Sequence, residues 1–155
     1  TDALRVMPIA LQLGVADAIR EIPVRVPYST ITEIQKHATA LLALGSSEPH
    51  YTASKIYPLL LARRPILAAY HERSSVIEVL SSVTREPSVR VVAYSEAEPA
   101  ASRVDQFLRH LLEIVERPTW SAADVRFERL DEFLAPQVAR KFASVFDRVA
   151  GDGRG

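Results

Sequence analysis

A chain of 155 residues with 19 basic and 19 acidic side chains has the length of one ordinary domain and no net charge. That balance offers no field to hold nucleic acid or an anionic lipid surface, and the lack of cysteine excludes disulfides, thiolate metal sites and thiol nucleophiles. No apolar run nears the ~20 residues of a bilayer span and no charged-then-apolar leader opens the chain, so composition points to a soluble globular protein of the cytoplasm.

Residues 3–13 place Leu4, Met7 and Leu11 at helical spacing, and Gly14 follows as a C′ glycine, so the chain opens on a helix. Residues 17–25 read as a short strand whose proline suits a sheet edge. Pro27-Tyr28 makes a turn, Ser29 or Thr30 caps, and 32–39 is a short amphipathic helix. Residues 40–44, Ala-Leu-Leu-Ala-Leu, form a strand without alternation, the pattern of burial under helices on both faces.

A helix over 52–62, a strand over 65–70, a helix over 75–83 and a strand over 89–94 follow in turn. Beyond the acidic turn Glu96-Ala-Glu-Pro99 the pattern is helix alone. Residues 101–116 carry Val104, Phe107, Leu108, Leu111, Leu112 and Val115 on one face, and Pro118 stops them. After a loop with Trp120 and Asp124, 130–149 is helical, with Leu134, Val138, Phe142, Val145 and Phe146 as its stripe and Pro136 kinking or dividing it. The glycine-rich tail 151–155 is expected to fray.

Strands alternating with helices predict an α/β fold, a Rossmann-like parallel sheet flanked by helices, ending in two long helices. A doubly wound domain ordinarily begins with a strand, so the helical opening suggests that first strands are missing. The expected division is a partial nucleotide-sugar-binding unit over 1–116, a helical segment over 117–150 that packs back on it or on an absent domain, and a tail over 151–155.

Two strands open through hydroxyl-rich turns into helices. One turn holds Gly45, Ser46 and Ser47 and leads to Thr52, Ser54 and Lys55; the other holds His71, Ser74 and Ser75. Such turns gather backbone N–H groups and positive helix ends at the carboxyl edge of a parallel sheet, where an anion would sit. This is read as the phosphate end of a nucleotide-sugar site. Lys55 would stabilise a departing diphosphate, against the plainer reading that these residues only cap helices. Ser75 with Glu78 has the spacing of a capping box.

His50 and His71 lie just past strand ends and offer neutral imidazoles to a phosphate or sugar, or are ordinary loop residues. Glu48, Glu72 and Glu96 also sit near strand ends, and none is put forward as a catalytic base. The Arg63-Arg64 pair belongs to the far end of its strand as helix-terminal charge. No histidine and carboxylate spacing supports a metal site.

The segment Glu48-Pro-His-Tyr-Thr-Ala-Ser-Lys-Ile-Tyr57, with Leu60-Leu-Ala-Arg-Arg-Pro-Ile-Leu-Ala68 and His71-Glu-Arg-Ser-Ser75, resembles the carboxyl-terminal, donor-binding half of bacterial glycosyltransferase-like proteins of GT-B architecture. The resemblance runs from Ala3 to Val149 and is most specific between Arg25 and Ser75. It implies a two-domain enzyme in which a further amino-terminal domain binds an unknown acceptor and this half binds a nucleotide-diphosphate sugar, with no tightly bound cofactor. A divalent ion would arrive with the diphosphate. The loop from Arg25 to Tyr28 would lie beside the nucleobase, with Tyr28 stacking on the base or packing under the next helix. Where many retaining members carry paired glutamates this chain has His50 and Pro58, with Glu48 out of register, which leaves ribose recognition and stereochemical course open.

Two other functions compete. One is a non-catalytic nucleotide- or phosphate-binding or interaction module descended from such an enzyme. The other is a flavodoxin-like signalling domain, which ranks last because its strand ends would want an acidic cluster. Sheet edges left open by missing strands would invite self-association into a homo-oligomer.

Overall fold

The computed structural model describes residues 3–46, 54–130 and 135–152. The chain divides into two compact units, Thr1–Ile34 and Gln35–Gly155.

In the amino-terminal unit, α1 (Met7–Gln12) ends as the glycine predicts. Gly14 sits at φ +67° and its N–H reaches the carbonyl of Leu11 at 3.2 Å, while that of Val15 reaches Ala10 at 2.9 Å. This is the two-bond closure that a left-handed C′ residue allows. The start of α1 is capped from a distance. The Glu21 carboxylate accepts the N–H of Arg5 at 2.8 Å, of Val6 at 3.1 Å and of Met7 at 2.8 Å, donors that a helix start otherwise leaves unpaired. The bond from the Arg5 backbone, then that from Met7, holds this carboxyl below its ordinary range.

The strand expected over 17–25 does not form. A 3₁₀ turn, Ala16–Ala18, is followed by irregular chain. Turning Glu21 back onto α1 commits this segment to a local loop, and Pro23 has no N–H to give a ladder. The helix expected at 32–39 runs earlier, as α2 (Tyr28–His37), whose last three residues belong to the second unit. The Ile31 N–H reaches the Pro27 carbonyl at 3.1 Å, and the Thr32 hydroxyl donates back to the Tyr28 carbonyl at 2.9 Å.

The second unit holds the sheet. Its elements are β1 (Leu41–Leu44), α3 (Ile56–Leu61), β2 (Ile66–His71), α4 (Ser75–Val83), β3 (Val89–Tyr94), α5 (Val104–Glu116), α6 (Phe127–Leu130) and α7 (Ala135–Asp152). The strands form one parallel three-stranded sheet in the order β1-β2-β3, with Leu41 opposite Ile66 and Ile66 opposite Val89. The fold is therefore α/β with Rossmann-like layering, as the alternation of elements predicts. Among the described residues no helix is long and apolar enough to cross a membrane.

One face of the sheet carries the main core. Leu41, Ala43, Ile66, Ala68, Tyr70 and Val89 pack against Ile56 and Leu60 of α3 and Val76, Leu80 and Val83 of α4. Leu80 and Val83 are fully shielded from water, each contributing about 1.5–3 kcal/mol by that burial. On the other face Leu67 and Val92 meet Ile114, Phe107 and Leu111 of α5. That cover reaches β2 and β3 but not β1, where burial alternates and Leu42 and Leu44 stay 51% and 63% exposed. Full burial of this strand, expected from its unbroken apolar run, is thus corrected: β1 is an edge strand with one face open.

The end of the core is clamped by the loop before α6. Ser88, fully buried, donates its hydroxyl to Asp124 Oδ2 at 2.6 Å and accepts the Ser121 N–H at 2.7 Å. The Arg126 N–H reaches the Val83 carbonyl at 2.7 Å, and Thr84 bridges to Val125. Arg63 and Arg64 act here too. Arg63, at φ +56°, lays its guanidinium 5.6 Å from the Phe127 ring centre, and Arg64 Nε donates to the Lys36 carbonyl at 2.6 Å. Pro136 falls in the first turn of α7, where its missing N–H has no intrahelical acceptor to lose. Within the region expected as helical over 130–149, α7 therefore runs through Pro136 without being divided there, and Leu134 lies outside the described residues.

Candidate functional site at the carboxyl end of the sheet

The carboxyl ends of the three parallel strands bring Gly45-Ser46, His71 to Ser75 and Tyr94 to Glu96 to one end of the sheet. This is where open parallel sheets bind ligands, because the turns there lead into helix N-termini.

His71, 4% exposed, is the centre of the arrangement. Its Nδ1 accepts the Arg73 N–H at 3.2 Å, so the proton sits on Nε2 and is donated to Glu96 Oε2 at 3.3 Å. The Arg73 guanidinium pairs with the other oxygen of the same carboxylate. Edge-on to the imidazole, 5.9 Å away, stands the Tyr94 ring, whose hydroxyl donates to the Ser46 carbonyl at 2.7 Å. Burial pushes that hydroxyl up, so it remains a donor across neutral pH. Glu96 lies below its ordinary range, held first by a backbone N–H and then by Arg73 and His71.

Ser74 caps α4: its Oγ accepts the Val76 N–H at 3.3 Å and it is nearly fully buried. The expected Ser75–Glu78 capping box is therefore shifted by one position. Glu78 still lies in the first turn, where a carboxylate complements the helix dipole. Gly45 has a packing reason of its own. A Cβ there would stand 2.5 Å from the Tyr70 ring, so only glycine lets the ring lie against the end of β1.

Ser54 and Lys55 are exposed and immediately precede α3. Arg25 and Tyr28 belong to the amino-terminal unit, both exposed. Ser47, Glu48, His50 and Thr52 lie outside the described residues. Thus His71, Ser46 and Ser74 share one strand-end region, together with Arg73, Tyr94 and Glu96. Arg73 and the pairing role of Glu96 escaped the sequence reading, although the acidic turn after the last strand was their visible signal. No group of three or more His, Asp or Glu side chains that could hold a metal ion occurs among the described residues.

An open cleft of about 520 Å³, lined by Pro87, Arg90, Glu113 and Arg117 among others, lies instead toward the amino end of β3. It lies at the opposite end of the strands from the strand-end cluster. Comparison of the chain with protein-family models, with curated proteins and with solved structures finds no match.

Proposed function

We propose that the carboxyl end of this sheet binds the diphosphate of a nucleotide sugar, and that the chain is the donor-binding part of a GT-B-like glycosyltransferase whose acceptor domain lies elsewhere. The observation that carries this reading is the Glu96 carboxylate. It occupies the focus of two donors, His71 Nε2 and the Arg73 guanidinium, beside the start of α4. Donors that converge on an exposed carboxylate match a phosphate in charge and geometry. A phosphate entering there displaces Glu96 and takes over its bonds, with the N-terminus of α4 adding its dipole.

In the transfer, the bond from the anomeric carbon to the diphosphate oxygen breaks and the sugar bonds to an acceptor oxygen. His71, Arg73 and Lys55 act on the negative charge that grows on the leaving diphosphate, which lowers the barrier. A non-catalytic binding module would use the same donors without the transfer.

Calorimetric titration with UDP, GDP, ADP and their sugars tests the reading. Saturable binding of one nucleotide is expected. Glu96→Gln tightens it by removing the competing carboxylate, while Arg73→Ala weakens it about tenfold. Absence of binding by wild type and Glu96→Gln alike overturns the proposal. Binding without turnover, once an acceptor domain is supplied, leaves the module as the function.

A further inference from the structure

On the face of the sheet served by α5, apolar surface continues past the helix. Arg90 of β3 pairs with Glu113 at 3.1 Å, so that flank of α5 leans toward the outer edge of β3. Val104, Leu108, Leu112 and Val115 lie on the opposite flank, toward β1, and are 48–64% exposed. The register puts Leu42 and Leu44 of β1 on this same face, opposite Leu67 and Ala69. Together they form a trough, floored by β1 and walled on one side by α5. Its upper rim carries Asp105 and Glu116, with Arg109 between them.

A second exposed apolar surface is that of α7. Over its 18 residues Val138, Phe142, Val145 and Val149 recur at alternating steps of four and three, with Phe146 beside them, and all five are exposed. One rim of that stripe is basic, Lys141 and Arg148; the other is alanine, Ala139, Ala143 and Ala150.

We propose that α7 of a second copy of this chain fills the trough, with exchange in both directions giving a two-fold dimer. Setting Lys141 and Arg148 of α7 toward Asp105 and Glu116 of α5 turns Phe146 and the alanines down onto Leu42 and Leu44. In that orientation α7 runs parallel to α5, the direction helices take over a parallel sheet.

A chain cannot fill its own trough this way. Leu130 is buried in the core on the opposite face, and the contacts of Arg126 with Val83 and of Val125 with Thr84 fix α6 near the amino ends of the strands. Parallel docking needs α7 to start at the carboxyl ends, about 20 Å along the strands and about 10 Å through the sheet layer. The steps from Leu130 to Ala135 reach at most about 18 Å. Two reciprocal dockings of a helix this long bury roughly 1,000 Å² in total, the lower bound of a specific interface. The zero net charge sets no repulsion against pairing.

Sedimentation of the full chain from low to high micromolar concentration tests the proposal. A reversible dimer is expected, with Phe142→Asp on α7 and Leu108→Asp in the trough each weakening it roughly 100-fold. Both sites are exposed, so the variants keep their fold, which circular dichroism checks. The double reversal Lys141→Glu, Arg148→Glu weakens the dimer about tenfold, and adding Asp105→Lys with Glu116→Lys restores it. Because the chain has no cysteine of its own, Leu112→Cys combined with Phe146→Cys should cross-link between copies on oxidation. A monomeric wild type overturns the proposal. A dimer that loses affinity with Phe142→Asp but not with Leu108→Asp overturns it too, since α7 would then pair elsewhere.

Discussion

The two faces of the sheet are built from equally apolar strands and end in opposite conditions. On the α3–α4 face every strand has a helix above it, and the largest side chains are shut off from water. On the α5 face a single helix covers β2 and β3 only, so β1 keeps two leucines exposed. The difference lies in helix supply, because α3 and α4 are both crossovers on one side and only α5 returns to the other. Stability is therefore concentrated on one face, and the other keeps apolar surface in contact with water.

That contrast makes graded predictions. Leu80→Ala should cost about 3 kcal/mol in urea unfolding, whereas Leu42→Ala should change stability by less than about 0.5 kcal/mol at concentrations too low for pairing. Equal costs would mean that the α5 face is as closed as its opposite. Gly45→Ala should cost about 1–3 kcal/mol, because the methyl group drives into the Tyr70 ring at the edge of the closed face.

Ser88→Ala, which strips Asp124 and the Ser121 N–H of a common partner, should cost about 1–2 kcal/mol. It should also speed hydrogen exchange of the Arg126 amide more than that of the sheet. Acidification should give the smallest effect. Glu21 and Glu96 are held below their ordinary range in the folded chain, so their contributions are complete above the unfolded value of about 4.3. They fade as pH falls through the lower folded value. Amide shifts of Arg5 and Met7 followed by NMR should move in that acid window, and Glu21→Gln should abolish the movement.

Legibility followed the range of the causes. The helix over 75–83 and the strand over 89–94 were readable to the residue, because Ser74-Ser75 and Pro87 are local stop signals. Gly14 was readable for the same reason. The irregular 17–25 was not, since its conformation depends on Glu21 reaching back to Arg5 and Met7. Nor could Ala-Leu-Leu-Ala-Leu say whether a helix covers its second face. At the site, His71 stood out at a strand end, but its coupling to Glu96 crosses from one strand to the next and appears only once β2 and β3 are paired.

The strand order β1-β2-β3 carries a consequence for how the chain is made. Each strand pairs with the one synthesised just before it, so nothing already in place must part to admit a latecomer. The sheet can grow in the direction of translation, one crossover at a time. The clamp from Ser121, Asp124 and Arg126 closes onto Val83 and Ser88 only after all three strands have left the ribosome.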